Sequence, residues 1–139
     1  MTAHSLEANA QYDRIKQAEQ FLVDHCPPVE VPTRVFTGYG MSTRVVFLPA
    51  GTAATGARHL QGTHSILVSG QLRVLTEDGP IDYCGPEVFV APPGTKRAVV
   101  ALTDCIFSTT IITNLEDADA IRAAVTDPTD IAPLPRLEK

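Results

Sequence analysis

The stretch RHLQGTHSILVSG, residues 58–70, places His59 and His64 five positions apart at the entrance to an apolar run. Imidazole is the commonest side-chain metal ligand, so two histidines at a strand mouth are candidates for half of a divalent-metal site. A metal needs three or four protein ligands in fixed geometry, so Glu77, Glu87 or a neighbouring subunit would have to complete it. An anion is the second candidate occupant. Lys96 and Arg97, which follow the Pro92-Pro93-Gly94 turn, could join His59 and His64 to hold a carboxylate, a phosphate or an acidic sugar. A third reading needs no ligand: both histidines are loop and strand-start residues that hydrogen-bond locally.

Other chemistry finds little footing. LPAGTAATGA has glycines but neither the lysine nor the strand-loop-helix context of a phosphate loop. Ser65 and Ser69 lie near His64 without a recognisable acid or nucleophile elbow. No catalytic residue is assigned. Tyr39, in TGYGM, reads as a turn aromatic, and Thr109, Thr110 and Thr113 as ordinary strand residues. His4 and His25 carry no ligand spacing. Cys26, Cys84 and Cys105 are too widely spaced for a zinc clamp or a disulfide framework and read as buried free thiols.

The elements that must position these residues fall into three zones. Residues 1–33 hold a helix over about 5–25 and an extended connector. Ser5 is the expected N-cap, and Ala8, Tyr12, Ile15, Ala18 and Leu22 form the apolar face. Cys26-Pro27-Pro28 ends it. Residues 34–113 read as seven or eight short strands separated by turns, among them RVFT, STRVVFL, HSILVS, QLRVLT, IDYC and EVFVA. Gly70 is expected to take a positive φ, and Asp78-Gly79 to make a tight turn. Residues 114–139 hold a short helix, with Asn114 as its expected N-cap, and a proline-rich tail whose order would require docking on a neighbour.

With 139 residues, 44% hydrophobic and 19% charged, the chain has globular composition, and its formal net charge of −5 lacks the clustered basic face of a nucleic-acid binder. No apolar run approaches the roughly 20 residues that span a bilayer. MTAHSLEANAQYDR lacks the charged-then-apolar pattern of a signal peptide, so a cytoplasmic setting without export is expected.

The order of a glycine-flanked histidine pair, then IL-x-x-G-x-L-x-V, a turn, and V-x-P-P-G-T-K-R resembles the RmlC-like cupins, small jelly-roll barrels, over about residues 34–113. The blocks LPAGTAATG, HSILVSGQLRVLTEDG and GPEVFVAPPGTKRA are most similar to cupin-like proteins of tailed bacteriophages. The resemblance implies an all-β cupin barrel with an N-terminal helix, a short C-terminal helix and an extended tail. In metal-binding cupins one motif carries two histidines and a glutamate, and a second motif a last histidine. Here His59 falls near the second histidine, His64 or Thr63 at the glutamate, and Arg58 or Ala57 near the first histidine. Gly85, Pro92 and Gly94 match the second motif, but Arg97 takes the place of the last histidine and Ala101 that of the following asparagine. At most two of four ligands remain, and a guanidinium repels a cation. A dismantled metal site with no bound cofactor is therefore the expectation, a divalent metal at His59 and His64 being the less favoured outcome.

Two functions follow from the resemblance. One is a non-enzymatic, homo-oligomeric barrel that acts in phage assembly as a capsid decoration or tail accessory, in contact with other structural proteins of the virion. The other is a small-molecule or sugar-binding cupin enzyme of the infected cell, metal-dependent or epimerase-like, for which Tyr83 is a conceivable acid. A weaker third is a protein that blocks a host defence by binding a partner.

Overall fold

The computed structural model describes residues 3–76 and 78–137. Helix α1 (Ala3–His25) precedes nine strands: β1 (Thr33–Gly38), β2 (Met41–Leu48), β3 (Thr52–Thr55), β4 (Thr63–Ser69), β5 (Gln71–Thr76), β6 (Gly79–Cys84), β7 (Glu87–Ala91), β8 (Ala98–Ala101) and β9 (Cys105–Ile112). Helix α2 (Ala118–Val125) and the short strand β10 (Arg136–Leu137) follow. The strands form two five-stranded antiparallel sheets, ordered β1-β2-β9-β4-β7 and β10-β3-β8-β5-β6. Among the described residues no helix is long and apolar enough to cross a membrane.

Period-two alternation explains how the sheets face each other. Thr63, Ser65 and Leu67 of β4 are buried while His64, Ile66 and Val68 are exposed. The β4–β5 connection turns on Gly70, at φ +96°, where an added Cβ would stand 2.3 Å from the Asp104 carbonyl oxygen and 2.8 Å from Cys105 Sγ. Only glycine fits so close an approach. Leu48, Leu67, Leu72, Val74, Ala101 and Cys105 form the apolar core at one end of the barrel, joined by Tyr83, Phe89 and Phe107. At the other end α2 sets Ile121 and Val125 against Ile111.

Three expectations need correction. Helix α1 begins at Ala3, so Ser5 lies within it, and the side chains of His4, Ser5 and Ala8 lie outside the described residues. The cap of α2 is Asp117 rather than Asn114: Asp117 Oδ2 accepts from the Ala120 amide at 2.9 Å, satisfying an N–H that the helix itself leaves open. The tail docks on its own barrel. Arg136 and Leu137 pair with Ala53 and Thr52, the Val29 amide donates to the Pro135 carbonyl at 2.7 Å, and the Leu137 amide donates to that of Pro27 at 3.0 Å. Backbone hydrogen bonds need no side-chain pattern, so a proline-rich segment can be held without one.

Helix α1 covers part of the outer face of the β10-β3-β8-β5-β6 sheet and leaves an open cleft of about 710 Å³ between Phe21 and Leu22 on the helix and Ala53, Leu75 and Val100 on the sheet. The other sheet has no such cover among the described residues. Phe36, Met41, Ile66, Val88, Val90 and Ile112 project from its outer face, Val90 and Ile112 at 70% and 77% exposure.

Candidate functional site

The four residues singled out from the sequence do not meet. His64 alternates outward on β4, in register with Thr110 of β9 and Val90 of β7, and so lies on the exposed face of the sheet. His59 lies on the other side, where a bridge to Thr126 and the Gly94 amide donating to its carbonyl at 2.8 Å pin its backbone beside the barrel end. Among the described residues no three His, Cys, Asp or Glu side chains gather in a metal-holding group. Glu77, weighed above as a ligand, lies outside the described residues. Cys105 alone of the three thiols is buried, whereas Cys26 is half-buried and Cys84 exposed.

Lys96 is removed from the group by its direction. Its side chain is fully buried, 2.9 Å from Glu19 Oε2 on α1 and 2.9 Å from Asp130 Oδ2 in the C-terminal segment, and it donates to the Gly56 carbonyl at 2.7 Å. Lys16 donates to Glu19 Oε1 at 2.8 Å and to Asp130 Oδ1 at 3.0 Å. Thr55 adds its hydroxyl to Glu19, and the Arg58 amide donates to Asp130 at 2.8 Å. Burial alone would push both carboxyls up, but these hydrogen bonds and charges outweigh it and hold Glu19 and Asp130 below their ordinary ranges. The cluster clamps helix, barrel and tail together. Its cations are satisfied, so Lys96 offers nothing to a ligand.

Arg97, the neighbour of Lys96, turns into the barrel. Four inward residues stand in one transverse row of the sheet: Arg44 on β2, Thr109 on β9, Ser65 on β4 and Phe89 on β7. Ser65 and Thr109 hydroxyls share a hydrogen bond of 3.0 Å. The Arg97 guanidinium lies 5.4 Å from the Phe89 ring centroid, and its Nη1 donates to Ser65 Oγ at 3.3 Å. Phe89 in turn meets Tyr83 edge-on at 4.9 Å, so an aromatic floor underlies the arginine.

The electrostatics of this end are one-sided. Burial lowers Arg97, while the proximity of Tyr83 opposes that shift. Burial and the charge of Arg122 lower Arg44, although much of this side chain is open at the mouth. Burial lowers His59 most, a backbone hydrogen bond with Ala57 opposes it, and the charges of Arg97 and Arg44 add to the lowering. The charges of Arg97 and of Arg44, a residue the sequence reading passed over, thus both act on His59. The signal of Arg44 was the period-two match to Val46 and Leu48 on the inward face of STRVVFL.

No protein-family model and no curated protein matches the sequence. Solved structures do. A cupin superfamily protein from Desulfitobacterium hafniense superposes with a TM-score of 0.53 at 11% identity, covering 64% of this chain and 83% of that one. An RmlC-like cupin from Shewanella frigidimarina gives 0.52 at 15% identity over 70% and 90%. Another RmlC-like cupin, from Desulfovibrio desulfuricans, gives 0.51 at 18% over 60% and 82%. At such low identity the likeness speaks for architecture alone. With its two facing sheets and flanking helices, the chain has the small cupin jelly-roll fold.

Proposed function

We propose that the protein is a non-enzymatic cupin barrel that works by self-association and, as the resemblance to tailed-phage proteins implies, serves in virion assembly as a capsid decoration or tail accessory. The observation that carries the reading is the uncovered outer face of the β1-β2-β9-β4-β7 sheet, where Phe36, Met41, Ile66, Val88, Val90 and Ile112 are all solvent-exposed. Contiguous apolar patches larger than a few hundred Å² are rare on monomers and mark interaction surfaces. A two-fold interface brings a patch against its own copy, so like charges near the axis would repel. These six side chains carry none. Arg34 sits toward the edge and His64 is the one titratable group among them.

Two substitutions test the reading. Val90→Glu with Ile112→Glu should turn the oligomer into a monomer with an unchanged circular dichroism spectrum, because both side chains already lie in solvent in the free subunit. Mass spectrometry of washed particles of the encoding phage should find the chain in stoichiometric amount. Recovery from the lysate alone would contradict the virion role.

The enzymatic alternative draws on one observation: Arg97 lies over the Phe89 ring, which meets the Tyr83 ring edge-on. A base and an acid for an epimerase-like reaction would have to reach the same substrate carbon from opposite sides. Turnover of a nucleotide-sugar substrate that is lost on His59→Ala would favour it over assembly.

A further inference from the structure

Strand register puts Phe36, Thr43, Thr110, His64 and Val90 in one row across the outer face of the β1-β2-β9-β4-β7 sheet. His64 is exposed in that row. Val90 stands beside it on β7, Ile66 follows two residues on along β4, and Val88 and Ile112 lie diagonally across from it. Four of the six apolar side chains of the uncovered face thus surround one imidazole. On the β9 side, the Thr110 hydroxyl bonds to that of Thr43 at 2.8 Å.

The strands that flank β4 bring no charge to this imidazole. On the outer face β9 presents Ser108, Thr110 and Ile112, and β7 presents Val88 and Val90. Glu87 falls in register with the buried Leu67 and so belongs to the inward row. Arg34 is on the edge strand β1, three strands from β4, or about 14 Å across the sheet at the usual spacing. Among the described residues His64 has no hydrogen bond and no ion pair, so nothing within the subunit holds its proton on or off. Imidazole is the side chain whose ordinary titration falls between pH 5 and 8. Neutral, it enters an apolar contact at the modest cost of one polar group. Charged and unpaired, it is far costlier to desolvate, and a two-fold contact takes in two at once.

We propose that His64 is the pH trigger of assembly: neutral, it is buried in the contact between two copies, and protonated, it keeps them apart. The trigger rests on the self-association proposed above and adds the condition under which the face engages. Each copy that arrives protonated has to release one proton to join, so two protons leave per dimer. Well below the ordinary imidazole range the dissociation constant therefore rises about a hundredfold per pH unit. Assembly is complete above that range and is lost as pH falls through it.

Sedimentation equilibrium of the full chain at pH 8 and pH 5.5 tests this. The wild-type dissociation constant should be about a hundredfold weaker at pH 5.5. His64→Gln keeps a polar side chain without a charge and should give one dissociation constant at both pH values. His64→Lys carries the charge throughout and should already be dissociated at pH 8. The side chain is exposed in the subunit, so both variants keep the fold, which circular dichroism at each pH checks. A wild-type dimer equally tight at pH 8 and pH 5.5 overturns the trigger and leaves self-association standing. A His64→Gln dimer that still dissociates in acid overturns it too, since the proton then acts at another group. A wild-type chain monomeric at pH 8 contradicts the self-association reading itself, and the trigger falls with it.

Discussion

Lys96 carries a charge that solvent never meets, and two carboxylates depend on it. Lys96→Met would leave Glu19 and Asp130 facing one another with only Lys16 between them, at a cost of about 3–5 kcal/mol, the usual penalty for removing one partner of a buried pair. Chemical denaturation would show it as a lower midpoint with unchanged slope. His59 makes a second prediction at this scale. Burial and two arginine charges hold its pKa below that of a free imidazole, so a proton NMR titration should find it titrating at lower pH than an exposed histidine, whereas Arg97→Met should move its pKa upward. Neither residue's role was readable from its neighbours in sequence. Lys96 and Arg97 look like one basic pair, yet successive residues in extended chain point to opposite sides. The anionic partners of Lys96 come from α1 and from a segment 34 positions away.

The strands were legible because alternation and turn residues are local signals. HSILVS and QLRVLT alternate as read, and Gly70 has the positive φ that their connection demands. Helix α1 was legible in position but not in its working face. Apolar periodicity finds Tyr12, Ile15, Ala18 and Leu22, while Glu19, one turn beyond Ile15 and just as buried, is invisible to a search for hydrophobic residues. Arg44 escaped for the same reason. The tail is the largest departure, since backbone pairing and a single carboxylate hold it. A chain stopped before Asp127 should therefore lose at least about 3 kcal/mol, because Lys96 loses a buried partner. Stopping before Arg136 removes the β10 pairing and the hydrogen bonds of Leu137 to the Pro27 carbonyl and of Arg136 Nη1 to the Cys26 carbonyl, but no buried ion-pair partner, and should cost distinctly less. Thermal unfolding of the two truncations separates these contributions.

For the molecule as a whole, acid should act in two stages. His59 has a folded pKa below its unfolded 6.5, so the unfolded chain takes up a proton first and stability declines as pH falls below 6.5. Glu19 and Asp130, with folded pKa values below 4.5 and 3.8, give stability that is complete above those values and is lost as pH falls through the depressed folded ones. Unfolding midpoints recorded from pH 8 to pH 3 should show a shallow decline followed by a steeper one, and Lys96→Met should reduce the steeper limb while Lys16 and Thr55 keep part of it.

The claim on which the account rests is that the bare outer face of the β1-β2-β9-β4-β7 sheet meets a second copy. Multi-angle light scattering on the purified chain across a concentration series measures this directly. The account predicts a mass of at least twice 14.9 kDa at micromolar concentration, collapsing to one subunit in the Val90→Glu, Ile112→Glu variant. A wild-type mass of one subunit throughout the series would contradict it.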